Sequence, residues 1–143
     1  MKTSKITIRP ATQSDLVRAE YLFNEPELLL ASGKPMPVEY LEVYLDDRCF
    51  LVAEDKDEVI GVIFGEYLKG GGVFLWYLIV DKKYRGRGVG TQLLLQFEQK
   101  AKANGRAWMI LYAPLHNEKT KHFYKKHHFT QGKDHAEFTK EIE

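Results

Sequence analysis

Gly86, Gly88 and Gly90 alternate with Arg85, Arg87 and Val89 in the stretch Val80-Asp81-Lys82-Lys83-Tyr84-Arg85-Gly86-Arg87-Gly88-Val89-Gly90-Thr91. Residue types in that order suit the binding of an anion. Glycines let the backbone turn tightly and approach a ligand with no Cβ in the way. Where such a turn opens a helix, unpaired N–H groups and the positive end of the dipole favour negative charge. Arg85 and Arg87 add to it, and a pyrophosphate is the natural occupant. Two familiar phosphate motifs are excluded by spacing. The dinucleotide fingerprint G-x-G-x-x-G needs its third glycine one residue later, and the Gly-Lys-Ser/Thr of the nucleotide-binding loop is absent. The plain alternative is a glycine-rich turn that links a strand to a helix.

Other reactive side chains offer less. Cys49 is the only cysteine, so it forms no internal disulfide and an oxidising compartment has no support. His116, His122, His127, His128 and His135 come late in the chain without the spacing of a metal site, and no metal is expected.

The glycine-rich stretch must be held by the elements around it. Ile6 and Ile8 alternate with polar residues, which predicts a short first strand over Lys5 to Arg9. Thr12 and Asp15 make a capping-box-like start, after which Leu16, Ala19, Leu22 and Phe23 recur at helical spacing. Asn24 to Pro37 reads as a loop or broken helix, and Val38, Leu41 and Leu45 suggest a second helix. A block of strands follows at Phe50 to Glu54, Val59 to Tyr67 and Val73 to Val80, joined by hairpin turns at Asp55-Lys56-Asp57 and Gly70-Gly71-Gly72. The last of these strands is apolar on both faces, which places it in the middle of the sheet. Val89, Leu93, Leu94, Phe97 and Ala101 form the stripe of a long helix ending near Asn104-Gly105. Trp108 to Ala113 is a further strand, Asn117 can cap a last helix, and Phe138 to Ile142 can be a final strand. The order β-α-α-β-β-β-α-β-α-β predicts a mixed α+β fold with helices covering an antiparallel-rich sheet.

Length and composition agree with a single domain over residues 1–143. The chain is 44% hydrophobic and 29% charged, and no linker, repeat or low-complexity block divides it. Its 21 Lys+Arg and 20 Asp+Glu leave a net charge of only +1, so no nucleic-acid partner is expected. Lys82, Lys83, Arg85 and Arg87 suit the phosphates of a small ligand better. The longest apolar run, Val73 to Val80, falls far short of the roughly 20 residues that span a bilayer. Met1 to Pro10 lacks the apolar core of a secretion signal. A cytoplasmic protein without membrane contact is the expectation.

The hexapeptide Arg85 to Gly90 resembles the acyl-CoA signature Gln/Arg-x-x-Gly-x-Gly/Ala of the GNAT superfamily of N-acetyltransferases. The later stretch Asn117-Glu118-Lys119-Thr120-Lys121-His122-Phe123-Tyr124-Lys125-Lys126-His127-His128-Phe129 is similar to that family's second motif, with Asn117, Tyr124 and Phe129 in register. Thr120 stands where Ala is common, and His128 where Gly is usual. With the matching element order, the resemblance extends from about Ile6 to Ile142.

It implies an enzyme that moves an acetyl group from acetyl-CoA to a primary amine by direct attack in a ternary complex. The alternative is a non-catalytic acyl-CoA-binding sensor or interaction module. The coenzyme would lie in a gap where the Val73–Val80 strand splays from the Trp108–Ala113 strand. Main-chain groups of Leu78, Ile79 and Val80 would hold its pantetheine arm like an added strand. Arg85, Gly86, Arg87, Gly88, Val89, Gly90 and Thr91 would hold the diphosphate, with Asn117 and Lys126 as further contacts. Tyr124 is the implied general acid for the departing thiolate. An alkylamine acceptor is unprotonated at pH 7 in only about one molecule in 2,500, so its proton needs a destination. Some branches of the family place a glutamate where this chain has Phe74. Glu66 on the neighbouring strand is the best substitute, with an ordinary strand-end carboxylate as the alternative. Trp76 and Tyr77 are candidates to line the acceptor pocket or to pack in the core. Cys49 is not needed as an acyl carrier. The acceptor is a small-molecule or peptide amine, and a homodimer is a family-level expectation.

Overall fold

The computed structural model describes residues 5–47 and 49–142 and divides the chain into two units, Met1–Leu111 and Tyr112–Glu143. Among the described residues the first unit holds a five-stranded sheet in the order β1 (Thr7–Pro10), β2 (Phe50–Asp55), β3 (Glu58–Tyr67), β4 (Gly72–Val80), β5 (Trp108–Leu111). The first four strands pair antiparallel; short turns impose this between β2 and β3 and between β3 and β4, while β1 reaches β2 through the helical segment that separates them. Between β2 and β3 the turn residues Lys56 and Asp57 both have positive φ (51° and 66°), the geometry of a two-residue hairpin that matches strand twist. β5 returns after a helical crossover and so pairs parallel to β4.

Among the described residues this unit has three α-helices: α1 (Leu16–Leu22), α2 (Val38–Leu41, continued as a 3-10 turn over Glu42–Asp47) and α3 (Val89–Ala103). Alternate residues of β3 serve two cores. Val62 and Phe64 face α1 and α2, where Leu16, Ala19, Leu22, Phe23 and Leu41 close over them. Gly61 and Gly65 face α3, whose Leu93 and Phe97 lie against them. Each fully buried Leu or Phe contributes about 1.5–3 kcal/mol.

The start of α1 follows its sequence signal. Thr12 N–H donates to Asp15 Oδ2 at 2.8 Å, and Arg9 grips the same carboxylate with both terminal nitrogens, at 2.8 and 3.0 Å. Burial pushes the Asp15 carboxyl up, but the bonds from Arg9 and Thr12 outweigh it and hold the group below the usual carboxylate range. α3 ends as its Asn-Gly pair predicts. Gly105 (φ 77°) donates to the Lys102 carbonyl at 3.0 Å and Arg106 to that of Ala101 at 2.9 Å, a Schellman closure.

Two expectations are corrected. The strand read as central is β4, yet the sheet order puts β3 in the middle, and β3 is the more deeply buried of the two. The apolar run of β4 reflects helices on both faces, not a central place. The final strand at Phe138–Ile142 is also absent: residues 127–142 carry no helix or strand, with Phe138 91% and Ile142 94% exposed. Those two apolar residues sit among charges, and the second unit has no other described strand to supply a hydrogen-bonding edge.

That unit contains α4 (Glu118–Lys126), capped by Asn117, whose side chain accepts from Thr120 N–H at 3.0 Å. Among the described residues no helix is long and apolar enough to cross a membrane.

Candidate functional site

β5 pairs with β4 only from Gly72 to Leu75. Beyond that point Trp76–Val80 is bonded to β3 on one side and, among the described residues, has no strand on the other. Asp81 N–H donates to the Ile60 carbonyl at 2.8 Å, so by antiparallel alternation Ile79 and Tyr77 also turn their main-chain groups toward β3. Leu78 and Val80 therefore present theirs to the open side. Arg85 confirms this for Val80, since its Nε donates to the Val80 carbonyl at 2.9 Å. Of the three strand residues expected to hold a ligand, two show free-edge backbone, and the main chain of Ile79 is committed to β3.

The register shifts between Phe64 and Gly65, leaving Trp76 as the extra residue of a bulge in β4. Consecutive strand residues normally face opposite ways, but Trp76 and Tyr77 both pack on the α1–α2 core. Phe23, Tyr44, Phe64, Trp76 and Tyr77 form a chain of ring contacts there, with centroids 5.0–6.4 Å apart. Glu66 lies on that face, half-buried, with Oε1 accepting from Trp76 Nε1 at 2.9 Å. Phe74 stands directly across from Glu66 and edge-on to Trp76.

At the end of β4 the chain enters the glycine-rich stretch through a 3-10 turn over Lys82–Tyr84. Asp81 sets that turn by accepting from Lys83 N–H at 3.0 Å and from Arg18 at 2.8 Å, and Arg18 also donates to the Val59 carbonyl at 3.0 Å. The Lys83 N–H above all, with Arg18, holds the Asp81 carboxyl below its ordinary range. Tyr84 donates to Asp55 at 2.9 Å, which raises its phenol, and its ring lies 5.3 Å under the Arg87 guanidinium. Gly86 (φ 77°) and Gly88 (φ 81°) take the left-handed backbone that only glycine adopts freely, and nothing stands within 4 Å of where their Cβ atoms would be. Gly88 caps α3 without a side chain, and no acidic residue lies in the first turn. The N–H groups of Val89 and Gly90 have no intrahelical acceptor. Open strand edge, exposed arginines and uncapped helix start follow one another within residues 78–91, and all belong to the first unit.

In the second unit, Tyr124 is half-buried on α4, and desolvation pushes its phenol up to about 12. Its ring meets Phe123 at 5.1 Å and Phe129 at 5.4 Å. Lys126 is exposed, and the Asn117 side chain serves the helix cap. Sequence reading missed the bulge at Trp76 and the Tyr84–Asp55 link. The signal for the first, an aromatic pair in an apolar run, is shared by any core strand.

A family described as "Acetyltransferase (GNAT) domain" matches residues 46–131. An acetyltransferase of Photorhabdus laumondii is 33% identical over 113 residues, covering 79% of this chain and 78% of its own length. Among solved structures, an aminoglycoside N-acetyltransferase AAC(6')-Iy in complex with CoA superposes with a TM-score of 0.78 at 19% identity, covering 99% of this chain and 98% of the other. The ribosomal-protein-S18-alanine N-acetyltransferase of Escherichia coli superposes with a TM-score of 0.75 at 16% identity, covering 90% and 80%. At such identities the superpositions show a shared fold.

Proposed function

The chain belongs to the GNAT acetyltransferase family, and on that premise we propose that it transfers an acetyl group from acetyl-CoA to a primary amine by direct attack in a ternary complex. One observation carries the reading: the unpaired edge of β4 runs straight into the Gly86–Gly88 turn and the uncapped start of α3. An amide-bearing arm can add to such an edge as a strand would, and a diphosphate at its end then meets N–H donors and a positive dipole. Leu78 and Val80 are assigned to the arm. Arg85, Gly86, Arg87, Gly88, Val89, Gly90 and Thr91 are assigned to the phosphates, with Asn117 and Lys126 as secondary contacts.

In the reaction the amine nitrogen bonds to the thioester carbon, the C–S bond breaks, and the sulfur leaves with the electron pair. Outward N–H groups on β4 suit the developing oxyanion. Tyr124 is assigned to the sulfur. A phenol near 12 keeps its proton more tightly than a free thiol near 8.5, so the hydroxyl first stabilises the thiolate by donating a hydrogen bond. When the hydroxyl passes its proton to the sulfur, solvent returns one to the phenolate, which balances the proton the amine gives up. Glu66, oriented by the Trp76 indole, is assigned to take the amine proton, directly or through water.

Two of the solved neighbours are named for an aminoglycoside and for an alanine of ribosomal protein S18, which supports an amine acceptor here and leaves small molecule and peptide both in scope. The test is release of free CoA thiol from acetyl-CoA with aminoglycosides, polyamines and alanine-terminated peptides. Thiol release that depends on at least one amine is expected. Coenzyme binding with no amine-dependent release from any of them overturns the enzyme reading.

A further inference from the structure

Glu25 lies just beyond α1, before a short 3-10 turn over Pro26–Leu28. Its Oε1 is 3.4 Å from a terminal nitrogen of Arg85 and 3.9 Å from Lys82 Nζ. Arg85 thus bridges two partners: Nε holds the outward carbonyl of Val80 and the guanidinium tip faces Glu25. The same segment has a second tie to β4, where Tyr77 donates its hydroxyl proton to the Leu28 carbonyl at 2.8 Å. An acidic side chain from the segment that follows α1 therefore sits on the cations of the stretch assigned to phosphate.

We infer that Glu25 competes with the coenzyme's phosphates for Arg85 and Lys82, and so sets the affinity of the anion-binding loop from a segment outside it. The inference rests on the acetyl-CoA reading above. A diphosphate at the start of α3 brings negative charge beside the Glu25 carboxylate. Arg85 and Lys82 then turn toward the stronger anion, and Glu25 is left facing like charge. The ion pair is only partly buried, so the competition is modest and sensitive to salt.

The test is calorimetric titration of CoA into the full chain and its Glu25→Gln, Arg85→Gln and doubly substituted forms. Glu25→Gln is expected to bind about threefold to tenfold more tightly at low salt, with the gain shrinking at high salt. In the Arg85→Gln background the gain from Glu25→Gln is expected to shrink toward the share of Lys82 alone. A dissociation constant unchanged or weakened by Glu25→Gln, while the parent chain binds CoA, overturns this inference and leaves the acetyl-CoA reading standing. No CoA binding by the parent chain overturns both.

Discussion

Phe129 N–H donates to the carbonyl of Tyr124 at 3.0 Å, and the two rings stand edge-on 5.4 Å apart. With His128 N–H on the Lys125 carbonyl at 3.1 Å, this closes α4 in a Schellman pattern, and the ring pair is its usual apolar contact. The spacing of tyrosine and phenylalanine in the second motif thus has a structural cause. The fold-back that ends the helix also packs the side chain assigned to chemistry.

The residue in the left-handed position of that closure is His128, at φ 73°. A side chain there costs about 1 kcal/mol that glycine avoids. His128→Gly is expected to raise the melting temperature by about 2–4 °C and leave turnover unchanged. A lowered melting temperature in a thermal scan contradicts the assignment of strain to this position.

Tyr124→Phe keeps the ring and the helix closure and removes the hydroxyl. Turnover is expected to fall by about 100-fold or more, with CoA affinity within about twofold of the parent. Because burial raises the phenol to about 12, its neutral donor form persists at every pH below that value and is lost only above it. A kcat profile over pH 7–10 therefore owes no alkaline loss to Tyr124. An alkaline limb that disappears in Tyr124→Phe contradicts this, and an unchanged kcat removes the residue from the reaction.

Glu66→Gln retains an oxygen for the Trp76 indole while losing the charge. The kcat/KM for an alkylamine is expected to drop by about 100-fold at pH 7, and the deficit to narrow as rising pH frees the amine of its proton. Equal kcat/KM values at pH 7 assign the proton to another acceptor.

Much of this was legible in the residues. The glycine and arginine alternation of 85–90, the stripe of α3 and its Asn104-Gly105 stop all lie where periodicity and capping rules put them, because each is a local signal. The splay of β4 from β5 was implied by family resemblance, and pairing does stop at Leu75. The bulge at Trp76 was hidden, since an extra residue in Phe74-Leu75-Trp76-Tyr77 breaks no apolar pattern. Phe138 to Ile142 misled for a related reason: two apolar residues fit a strand, but a strand exists only against another edge.

The bulge has its own constraint in Gly65, where a Cβ would fall 2.2 Å from the Phe74 carbonyl oxygen and 2.8 Å from Phe97 Cζ. Backbone cannot yield there as a flexible side chain would. Gly65→Ala is expected to destabilise by about 2 kcal/mol or more. Gly70→Ala, with nothing within 4 Å, is expected to stay within about 0.5 kcal/mol of the parent. Similar urea midpoints for the two variants contradict the close strand crossing at Gly65.

The most direct measurement is titration of CoA into the parent chain by calorimetry at neutral pH, paired with thermal melts at the same concentrations. Saturable heat and a rising melting temperature are expected, and both are expected to be lost in Gly88→Glu, which puts a carboxylate at the N-cap of α3. A parent chain that gives neither heat nor stabilisation contradicts the assignment of the β4 edge and the α3 start to the coenzyme.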